Sequence, residues 1–281
     1  MIRLSKLFFV YGTLRKHGTA HNLIINETLL ASQAKTSGKL YLGDHLDPVL
    51  VPSENQTSYG ELYEVMDKKA DHIIKWMNRT GKVEKIKVMT DHLGEVDAFT
   101  QVDDGSHQKA EEVRFNDWLV HLELDRPVHY YYAYGSCMDN ERFKLASVDH
   151  LFINKIGGGV TDRLEMNYSL TVHDGGRANI VETGQPGEGV LYKVNQEALA
   201  YLFEREGVHT GMYRPVMIDV RVGDRTYEKS ISFIVINPSE ELAPPLHYAT
   251  EIIRGSKNVV SDEYHKKLVQ DLKEKFNVTI E

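Results

Sequence analysis

The sequence contains two copies of one pattern. LFFVYGTL at Leu7–Leu14 resembles HYYYAYGSCM at His129–Met138. GELYEV at Gly60–Val65 resembles GVLYKV at Gly189–Val194, and a segment with helical periodicity follows each of these, ADHIIKWMNRTG and ALAYLFEREG. The matched glycines stand 123, 129 and 126 residues apart, in the same order. One short match could arise by chance, but three ordered matches at a nearly constant separation favour a tandem duplication of one domain.

Two copies divide the 281 residues into two domains of ordinary size. The boundary is expected, to within several residues, between the polar stretch Gln101–Glu112 and the strand that opens the second copy. Pro127 precedes that strand, and proline lacks an N–H donor and disfavours helix just before itself. We therefore predict a first domain over residues 1–122, a second over residues 127–281, and a linker near residues 120–127.

Composition narrows the possible partners and the compartment. The chain has 41 Asp and Glu against 33 Lys and Arg, a formal charge of −8, which argues against a nucleic-acid partner because phosphate binding needs clustered cations. A single Cys excludes an internal disulfide or Cys-based zinc site and fits a reducing cytosol. The N-terminal segment has only four apolar residues in a row, too few for a signal peptide or membrane helix. We therefore expect a cytoplasmic protein with no membrane partner and no metal.

The hydrophobic periodicity of the second copy predicts more strands than helices. Aromatic, β-branched or alternating runs predict strands, among them Val128–Tyr134, Arg163–Val172, Tyr213–Val222 and Thr226–Ile236. Polar periodic segments predict helices, among them Met138–Ala146, a helix capped by Asn195, and Asp262–Phe276 capped by Ser261. No regular alternation of strand and helix is present. We therefore predict an α+β chain with a mixed sheet or small β-barrel and flanking helices.

An acidic residue occupies the apolar side of one predicted helix. Leu199, Leu202 and Phe203 form an apolar stripe, and the next position on that stripe is Glu206. Gly207 follows, the usual residue for a left-handed helix stop. A carboxylate on the buried side of a helix is costly unless it is paired, hydrogen-bonded or lining a cavity. Glu206 is therefore either a solvent-facing residue at a frayed helix end or a desolvated carboxylate suited to general base catalysis.

The turn Tyr134-Gly135-Ser136-Cys137 is a second candidate feature. A strand that passes through a glycine turn into a helix exposes backbone N–H groups that can bind a carboxylate or a developing oxyanion. Taken alone, however, the motif favours a simple tight turn in which Gly135 adopts a positive φ.

Together, these residues resemble the γ-glutamylcyclotransferase family. In the second copy the resemblance is carried by Tyr134–Met138, Gly189–Val194, Glu204–Val208 and Gly211–Pro215. In the first copy VYGTLR at Val10–Arg15, with GELYEV, resembles the AIG2-like and γ-glutamylamine branch of the same superfamily. The resemblance covers nearly the whole chain. It implies two tandem γ-glutamylcyclotransferase-like domains, each a small mixed β-barrel with flanking helices.

The resemblance also implies a reaction and a site in the second domain. The family cyclises a γ-glutamyl group to 5-oxoproline and releases the free amine, an intramolecular aminolysis without a cofactor, so the expected partner is a small γ-glutamyl substrate. Glu206 matches the catalytic carboxylate of the family. Its substrate-binding loop is matched by Tyr134, Gly135, Ser136 and Cys137, followed by Met138, and its late tyrosine by Tyr248. Cys137 replaces the family's usual Asn and cannot reproduce amide hydrogen bonding, which puts the substrate in doubt.

The first copy departs further from the family pattern. Its possible vestigial site comprises Tyr11, Gly12, Thr13, Leu14 and Thr80. Aligning the helix-ending glycines of the two copies puts Thr80 where the second copy has its glutamate, and threonine is no general base at neutral pH. A nearby carboxylate, Glu84, stays a candidate. We predict that the first domain is catalytically degenerate, and that the two copies pack as an internal pseudo-dimer.

Other interpretations stay open. Cys137, at the head of a predicted helix, could be the nucleophile of a Cys–His amidase, although a buried inert thiol is favoured. The chain could also be a non-catalytic ligand-binding or scaffold protein of the same fold. Arg177 could meet a substrate carboxylate, but its sequence context favours a surface turn.

Overall fold

The computed structural model describes residues 5–43, 47–79, 81–105 and 111–280. The chain divides into two compact units, Met1–Leu124 and Asp125–Glu281. Each unit contains a closed β-barrel accompanied by helices. The prediction of an α+β chain with two small tandem barrels is confirmed.

The described part of the first unit contains one barrel, one smaller sheet and two α-helices. Its strands are β1 (Ser5–Val10), β2 (Thr28–Ser37), β3 (Lys39–Leu42), β4 (Pro48–Val51), β5 (Thr57–Met66), β6 (Lys82–Thr90), β7 (Gly94–Val102) and β8 (Glu111–Glu112). Its helices are α1 (Asp67–Met77) and α2 (Trp118–Glu123). The barrel order is β1–β5–β2–β6–β7, and β1 closes it by pairing parallel to β7 at Phe8 and Phe99. Strands β4, β3 and β8 form the separate sheet.

The second unit repeats the barrel and adds a hairpin and longer helices. Its strands are β9 (Val128–Ala133), β10 (Lys155–Thr161), β11 (Leu164–Val172), β12 (Gly175–Glu182), β13 (Gly187–Asn195), β14 (Tyr213–Val222) and β15 (Arg225–Val235). Its helices are α3 (Asn140–Leu145), α4 (Gln196–Arg205), α5 (Leu246–Ser256) and α6 (Asp262–Phe276). The barrel order is β10–β13–β9–β15–β14, closed by a parallel pairing of Ile231 with Tyr131. Strands β11 and β12 pair outside it.

One glycine in each barrel has the same packing role. Gly60 lies on β5, which pairs with β1, and Gly189 lies on β13, which pairs with β9. A Cβ atom on Gly60 would lie 2.4 Å from the Val10 carbonyl oxygen, and one on Gly189 would lie 2.3 Å from the Ala133 oxygen. Both positions require glycine because the neighbouring backbone leaves no room for a side chain. The duplicated motif therefore positions the strand that leads into the Tyr-Gly bend of each unit.

Two helices of the second unit begin at the predicted caps. Asn195 Oδ1 accepts a hydrogen bond from Ala198 N at 2.9 Å at the start of α4. Ser261 Oγ accepts one from Tyr264 N at 3.1 Å at the start of α6. These side chains satisfy N–H groups that the first turn of a helix leaves without backbone partners.

The predicted helix over Met138–Ala146 is wrong in its first residues. A 3₁₀ turn covers Ser136–Met138, and Asp139 is extended, with φ −92° and ψ 115°. The Asp139 carboxylate accepts from Glu141 N at 3.2 Å and starts α3 after the turn. The Asp139 cap therefore makes α3 begin at Asn140, and the 3₁₀ turn is a separate element before it.

A buried ion cluster ties the last helix of the first unit to its barrel. The guanidinium of Arg15, 2% exposed, lies 2.7 Å from Asp117 Oδ1 and 3.3 Å from Glu61 Oε1. Asp117 also caps α2, and Glu61 accepts from the hydroxyl of Tyr63 at 3.0 Å. Because two carboxylates share one buried cation, loss of Arg15 leaves both without their charge partner.

In the described part of the chain, no helix combines the length and the apolar character needed to span a membrane.

Candidate active site

A cavity of about 380 Å³ opens in the second unit at the end of β9. Its wall includes four consecutive residues of the predicted loop, Tyr134, Gly135, Ser136 and Cys137. Glu206, at the end of α4, and Tyr248, on α5, line the same cavity. The fold thus brings together residues that the sequence separates by up to 114 positions.

Close packing, and not a positive φ angle, favours glycine at the bend. Gly135 has φ −112° and ψ −143°, outside the left-handed region, so the simple positive-φ turn does not form. A Cβ on Gly135 would lie 3.0 Å from the Ala178 Cβ and 3.4 Å from the Tyr248 hydroxyl. The hydroxyl of Tyr134 donates to the Phe233 carbonyl at 2.6 Å and anchors the bend to β15. The bend is therefore fixed close to the cavity wall opposite it.

Met138 belongs to the core beneath the bend and not to the cavity wall. Its N–H bonds the Gly135 carbonyl at 3.0 Å and closes the 3₁₀ turn, and its side chain is 2% exposed. Helix α5 packs directly against this segment, since a Cβ on Gly255 would lie 2.6 Å from the Met138 carbonyl carbon. Among the predicted loop residues, Met138 thus supports the bend from below.

Glu206 ends its helix with its side chain largely withdrawn from solvent. Its N–H completes α4 by bonding the Leu202 carbonyl at 2.9 Å, and Gly207 follows in the left-handed conformation at φ 59°. The side chain is 18% exposed. Burial raises the pKa of the Glu206 carboxyl above its ordinary value, while the positive charge of Arg205 and a hydrogen bond from Cys137 oppose the rise.

A small polar network joins Glu206 to the bend. The Cys137 thiol contacts Glu206 Oε1 at 3.9 Å. Arg205 Nε donates to Cys137 Sγ at 3.1 Å, and its Nη2 donates to Ser136 Oγ at 2.9 Å. Arg205 Nε also lies 3.9 Å from Glu206 Oε1, too far for a hydrogen bond. The guanidinium therefore holds the bend without itself hydrogen-bonding the Glu206 carboxylate.

The environment of Cys137 does not favour a thiolate. Burial raises the pKa of the thiol above its ordinary value, and the neighbouring charge of Arg205 only partly opposes this. The expectation that Cys137 heads an α-helix is wrong, because it lies within the 3₁₀ turn that precedes α3. The stabilisation that a helix N-terminus gives a thiolate is therefore not available to it.

Tyr248 and Arg177 form the opposite side of the cavity. The Tyr248 hydroxyl accepts a hydrogen bond from Ala178 N at 3.2 Å, and burial raises its pKa to about 12. The guanidinium of Arg177 lies 4.8 Å from the centre of the Tyr248 ring, and Asp174 holds it at 2.6 Å. The expected surface turn at Arg177 is wrong, because this residue belongs to β12 and pairs with Leu170 of β11.

Several residues of the cavity wall were not predicted as site residues. They are Arg142, Arg205, Tyr213, His247 and Glu251. Arg205 adjoins Glu206, His247 adjoins Tyr248, and Tyr213 lies within the matched segment Gly211–Pro215. Arg142 and Glu251 reach the cavity because α3 and α5 pack around it.

The first unit carries apolar residues at the positions equivalent to this network. The strand glycines Gly60 and Gly189 align α1 with α4 without a gap, which puts Met77 at the position of Glu206. Leu14 stands two residues after Gly12, just as Cys137 stands two residues after Gly135. Met77 and Leu14 lie in one buried hydrophobic cluster. Thr80, which the alignment of the helix-ending glycines puts at the position of Glu206, lies outside the described residues.

The bend of the first unit is covered by its own chain. A Cβ on Gly12 would lie 2.4 Å from Pro48 Cγ. The hydroxyl of Tyr11 donates to the Gln101 carbonyl at 2.9 Å and accepts from Leu50 N at 3.3 Å. The carbonyl of Thr13 is bonded by Ala20 N at 3.0 Å. These contacts tie Tyr11, Gly12 and Thr13 to neighbouring segments of the unit.

Glu84, the other carboxylate considered in the first unit, lies on β6 and pairs with the exposed Lys82 at 2.7 Å. Within residues 5–43, 47–79, 81–105 and 111–280, no three His, Cys, Asp or Glu side chains are grouped so as to hold a metal ion.

Comparisons with known proteins agree with this architecture. Residues 8–119 match the family model "Gamma-glutamyl cyclotransferase, AIG2-like", and residues 188–268 match the model "AIG2-like family". The Bacillus subtilis protein named "Putative gamma-glutamylcyclotransferase YkqA" is 35% identical over 268 residues, which cover 94% of this chain and 96% of the relative. Its crystal structure superposes with a TM-score of 0.88 over 96% of this chain and 98% of that one. Human γ-glutamylcyclotransferase is 33% identical over 147 residues, 49% of this chain and 76% of the relative. The chain therefore belongs to the AIG2-like γ-glutamylcyclotransferase family.

Proposed function

We propose that the second unit, residues 127–281 of the predicted division, is a γ-glutamylcyclotransferase with Glu206 as its general base. The substrate's α-amine attacks its own γ-carbonyl carbon, a five-membered lactam forms, and the bond to the leaving nitrogen breaks. The products are 5-oxoproline and the free amine. The observation that carries the proposal is the desolvated Glu206 carboxylate, which faces a cavity and contacts the glycine bend across 3.9 Å.

Glu206 has to remove a proton before the attack. A free α-amino group has a pKa of about 7.7–8.0, so the substrate amine is mostly ammonium at neutral pH. A carboxylate with a raised pKa is a better match for this proton than an ordinary one, and it can return the proton to the leaving nitrogen. The ammonium nitrogen loses two protons in forming the lactam: Glu206 passes one of them to the leaving nitrogen, and the other goes to solvent.

The bend supplies polar groups for the substrate oxygens. Gly135, Ser136 and Cys137 line the cavity, and we assign their backbone N–H groups and the Ser136 hydroxyl as the donors to a carbonyl oxygen or the α-carboxylate. The Tyr248 hydroxyl accepts from Ala178 N, so its own proton can point to the same oxygen. Because attacking and attacked atoms belong to one molecule, holding it folded lowers the barrier further.

Arg205 offers the substrate a cation beside the base. Its guanidinium has five N–H donors, and its bonds to Cys137 and Ser136 use two of them. The α-carboxylate and α-amine of a γ-glutamyl group share one carbon, so a group that places its amine at Glu206 places its carboxylate within reach of Arg205. We infer that the Arg205–Glu206 pair binds the reacting end of the substrate.

We further propose that the first unit, residues 1–122, has no cyclotransferase activity. An apolar pair, Leu14 and Met77, stands where the second unit has Cys137 and Glu206, and Pro48 covers the bend. The non-catalytic alternative for the whole chain, a ligand-binding or scaffold protein, predicts binding without product.

The proposal is tested with a panel of γ-glutamyl peptides, amino acids and amines, assayed both for binding by calorimetry and for 5-oxoproline. We expect 5-oxoproline and the free amine in equal amounts from at least one compound. Binding without either product from any member of the panel would support the scaffold alternative instead.

A further inference from the structure

Two tyrosines of the cavity wall bind the backbone of one residue on β12. The hydroxyl of Tyr213, the first residue of β14, donates to the Ala178 carbonyl oxygen at 2.5 Å. The hydroxyl of Tyr248, on α5, accepts from Ala178 N at 3.2 Å. All three residues line the cavity. Both backbone polar groups of Ala178 are therefore bonded by tyrosine hydroxyls.

Ala178 lies where the pairing of its strand is interrupted. In the described part of the chain, β12 pairs with one strand, β11. Asn179 pairs with Asn167, and Arg177 pairs with Leu170. The register shifts between these two pairs, so two residues of β11 stand opposite Ala178. The strand ladder is weakened at such a bulge, so the tyrosine hydrogen bonds contribute to holding Ala178 in place.

The two hydrogen bonds run in opposite directions. A tyrosine hydroxyl has one proton, and Tyr213 gives its proton to the Ala178 carbonyl. Tyr134 gives its proton to the Phe233 carbonyl in the same way. The Tyr248 oxygen instead receives an N–H, so of these three hydroxyls it is the one whose proton is not donated to a described residue. The Ala178 N–H thus orients Tyr248 as a donor.

We propose that Tyr213 is a positioning residue that acts through Ala178 on Tyr248. The N–H and the carbonyl of one residue point to the same side of an extended strand, so a hydrogen bond at the carbonyl also holds the N–H in its direction. That N–H then directs the Tyr248 proton to a substrate oxygen. The inference rests on the proposed function, in which Tyr248 donates to the substrate.

Three variants test this relationship: Tyr213→Phe, Tyr248→Phe and the double substitution. Each change removes a hydroxyl and keeps the ring. Asn179 Oδ1 still accepts from Val235 N at 2.9 Å and ties β12 to β15, so we expect the variants to fold, as checked by circular dichroism. The rate constants are measured with the γ-glutamyl compound that releases the most 5-oxoproline. Calorimetry measures the affinity for 5-oxoproline itself, the product common to every γ-glutamyl substrate.

The effects of the two substitutions are expected not to add. Tyr248→Phe should lower kcat by about 10²-fold, as the loss of a donor to the developing oxyanion does. Tyr213→Phe should lower kcat by about tenfold and change KM by less than about twofold, because the donor is misdirected and not lost. In the Tyr248→Phe background, Tyr213→Phe should have no further effect, since the group that it positions is absent. The affinity for 5-oxoproline should follow the same pattern, with single losses of about three- to tenfold.

The matched control is Tyr168→Phe on β11. The Tyr168 side chain is buried, and its hydroxyl has no hydrogen-bond partner among the described residues. This variant makes the same chemical change in the same hairpin without breaking a hydrogen bond. It should keep both kcat and the affinity for 5-oxoproline.

Unchanged kcat in Tyr213→Phe or in Tyr248→Phe would overturn the proposal. Equal losses from Tyr213→Phe in the two backgrounds would also overturn it, because a general loosening of the fold acts whether or not Tyr248 has its hydroxyl. Coupled losses of affinity for 5-oxoproline, without 5-oxoproline release from any γ-glutamyl compound, would retain the positioning role and refute the proposed reaction. Release of 5-oxoproline with additive losses would retain the reaction and refute the positioning role.

Discussion

Met77 occupies, in the first unit, the helix position that Glu206 occupies in the second. Each follows the matched strand glycine, Gly60 or Gly189, by the same number of residues, and each ends the apolar stripe of its helix. In the first unit the neighbouring bend residue is Leu14, and the two side chains belong to one hydrophobic cluster. The two copies thus share this position at the end of the helix, but its residue is apolar in the first unit and acidic in the second.

The first-unit residues considered as catalytic are expected to be dispensable. Glu84→Gln removes a carboxylate that pairs with the exposed Lys82, and Thr80→Ala removes the hydroxyl that the glycine alignment placed at the base position. Turnover measured as 5-oxoproline release should stay within about twofold of the unsubstituted protein for both variants. A large loss in either one would assign catalysis to the first unit.

The pH dependence of catalysis should respond to the charge at position 205. The base works as a carboxylate, so kcat/KM falls as the pH drops through the Glu206 pKa, which burial raises and Arg205 lowers. Arg205→Gln removes the cation, which disfavours the ionised carboxyl, and the acid limb of the pH–rate profile should move to higher pH. Arg205→Lys keeps the charge and should keep the limb near its original position.

The groups whose charges act on this site come from several elements. They are Arg205 on α4, Cys137 in the bend, and the tyrosines Tyr131, Tyr134, Tyr213 and Tyr248. Burial keeps the tyrosine pKa values raised, so these hydroxyls stay neutral over the range in which Glu206 titrates. An acid limb that does not move in Arg205→Gln would show that another group controls it.

Cys137→Ser distinguishes a binding-loop residue from a nucleophile. Burial raises the pKa of the thiol, so we expect it to act as a neutral neighbour of Glu206. Serine keeps a donor for that carboxylate but weakens the contact with Arg205, and kcat/KM should fall by about tenfold at most. Loss of nearly all activity, together with a covalent acyl-enzyme seen by mass spectrometry in the unsubstituted protein, would instead identify a Cys-dependent amidase.

Arg15→Gln should destabilise the first unit strongly. The change leaves Glu61 and Asp117 buried without their shared cation, and breaking such a cluster costs about 3–5 kcal/mol. Both tryptophans of the chain, Trp76 and Trp118, lie in the first unit, so urea unfolding followed by tryptophan fluorescence reports on it.

The control for this variant is Lys6→Gln, which removes an exposed ion pair with Asp71. Solvent screens such an exposed pair, so its loss should change the free energy of unfolding far less than the loss of the buried cluster. Equal free energies of unfolding for the two variants would show that the buried cluster contributes no more than a surface pair.

Local patterns predicted much of the fold and part of the site. The repeat was visible as similarity between two parts of the sequence. The helix caps at Asn195 and Ser261 and the hairpin of β14 and β15 were predictable because turn and capping chemistry acts over a few residues. The break in the apolar stripe at Glu206 was visible because helical periodicity is also local. The bend was recognised for the same reason, although the glycine there serves close packing and not a positive φ.

The rest of the site depends on contacts between distant segments. Arg142 and Glu251 meet because α3 and α5 pack together, and nothing in the sequence around either residue signals the encounter. The alignment by helix-ending glycines and the alignment by strand glycines differ in the first unit, because α1 ends at Met77 and the chain then continues through Asn78, whose side chain accepts from Val83 N. The segments between helix end and glycine differ in length in the two units. The glycines that follow the helices therefore do not mark equivalent helix positions.

The most direct test of the account is the rate of 5-oxoproline release by Glu206→Gln beside that of Glu204→Gln. Glutamine keeps the volume of the buried side chain but cannot take the proton, whereas Glu204 is 80% exposed, on the same helix and two residues away. The account predicts that Glu206→Gln lowers kcat by about 10²–10⁴-fold with unchanged circular dichroism, and that Glu204→Gln retains full activity. Full activity in Glu206→Gln would contradict it.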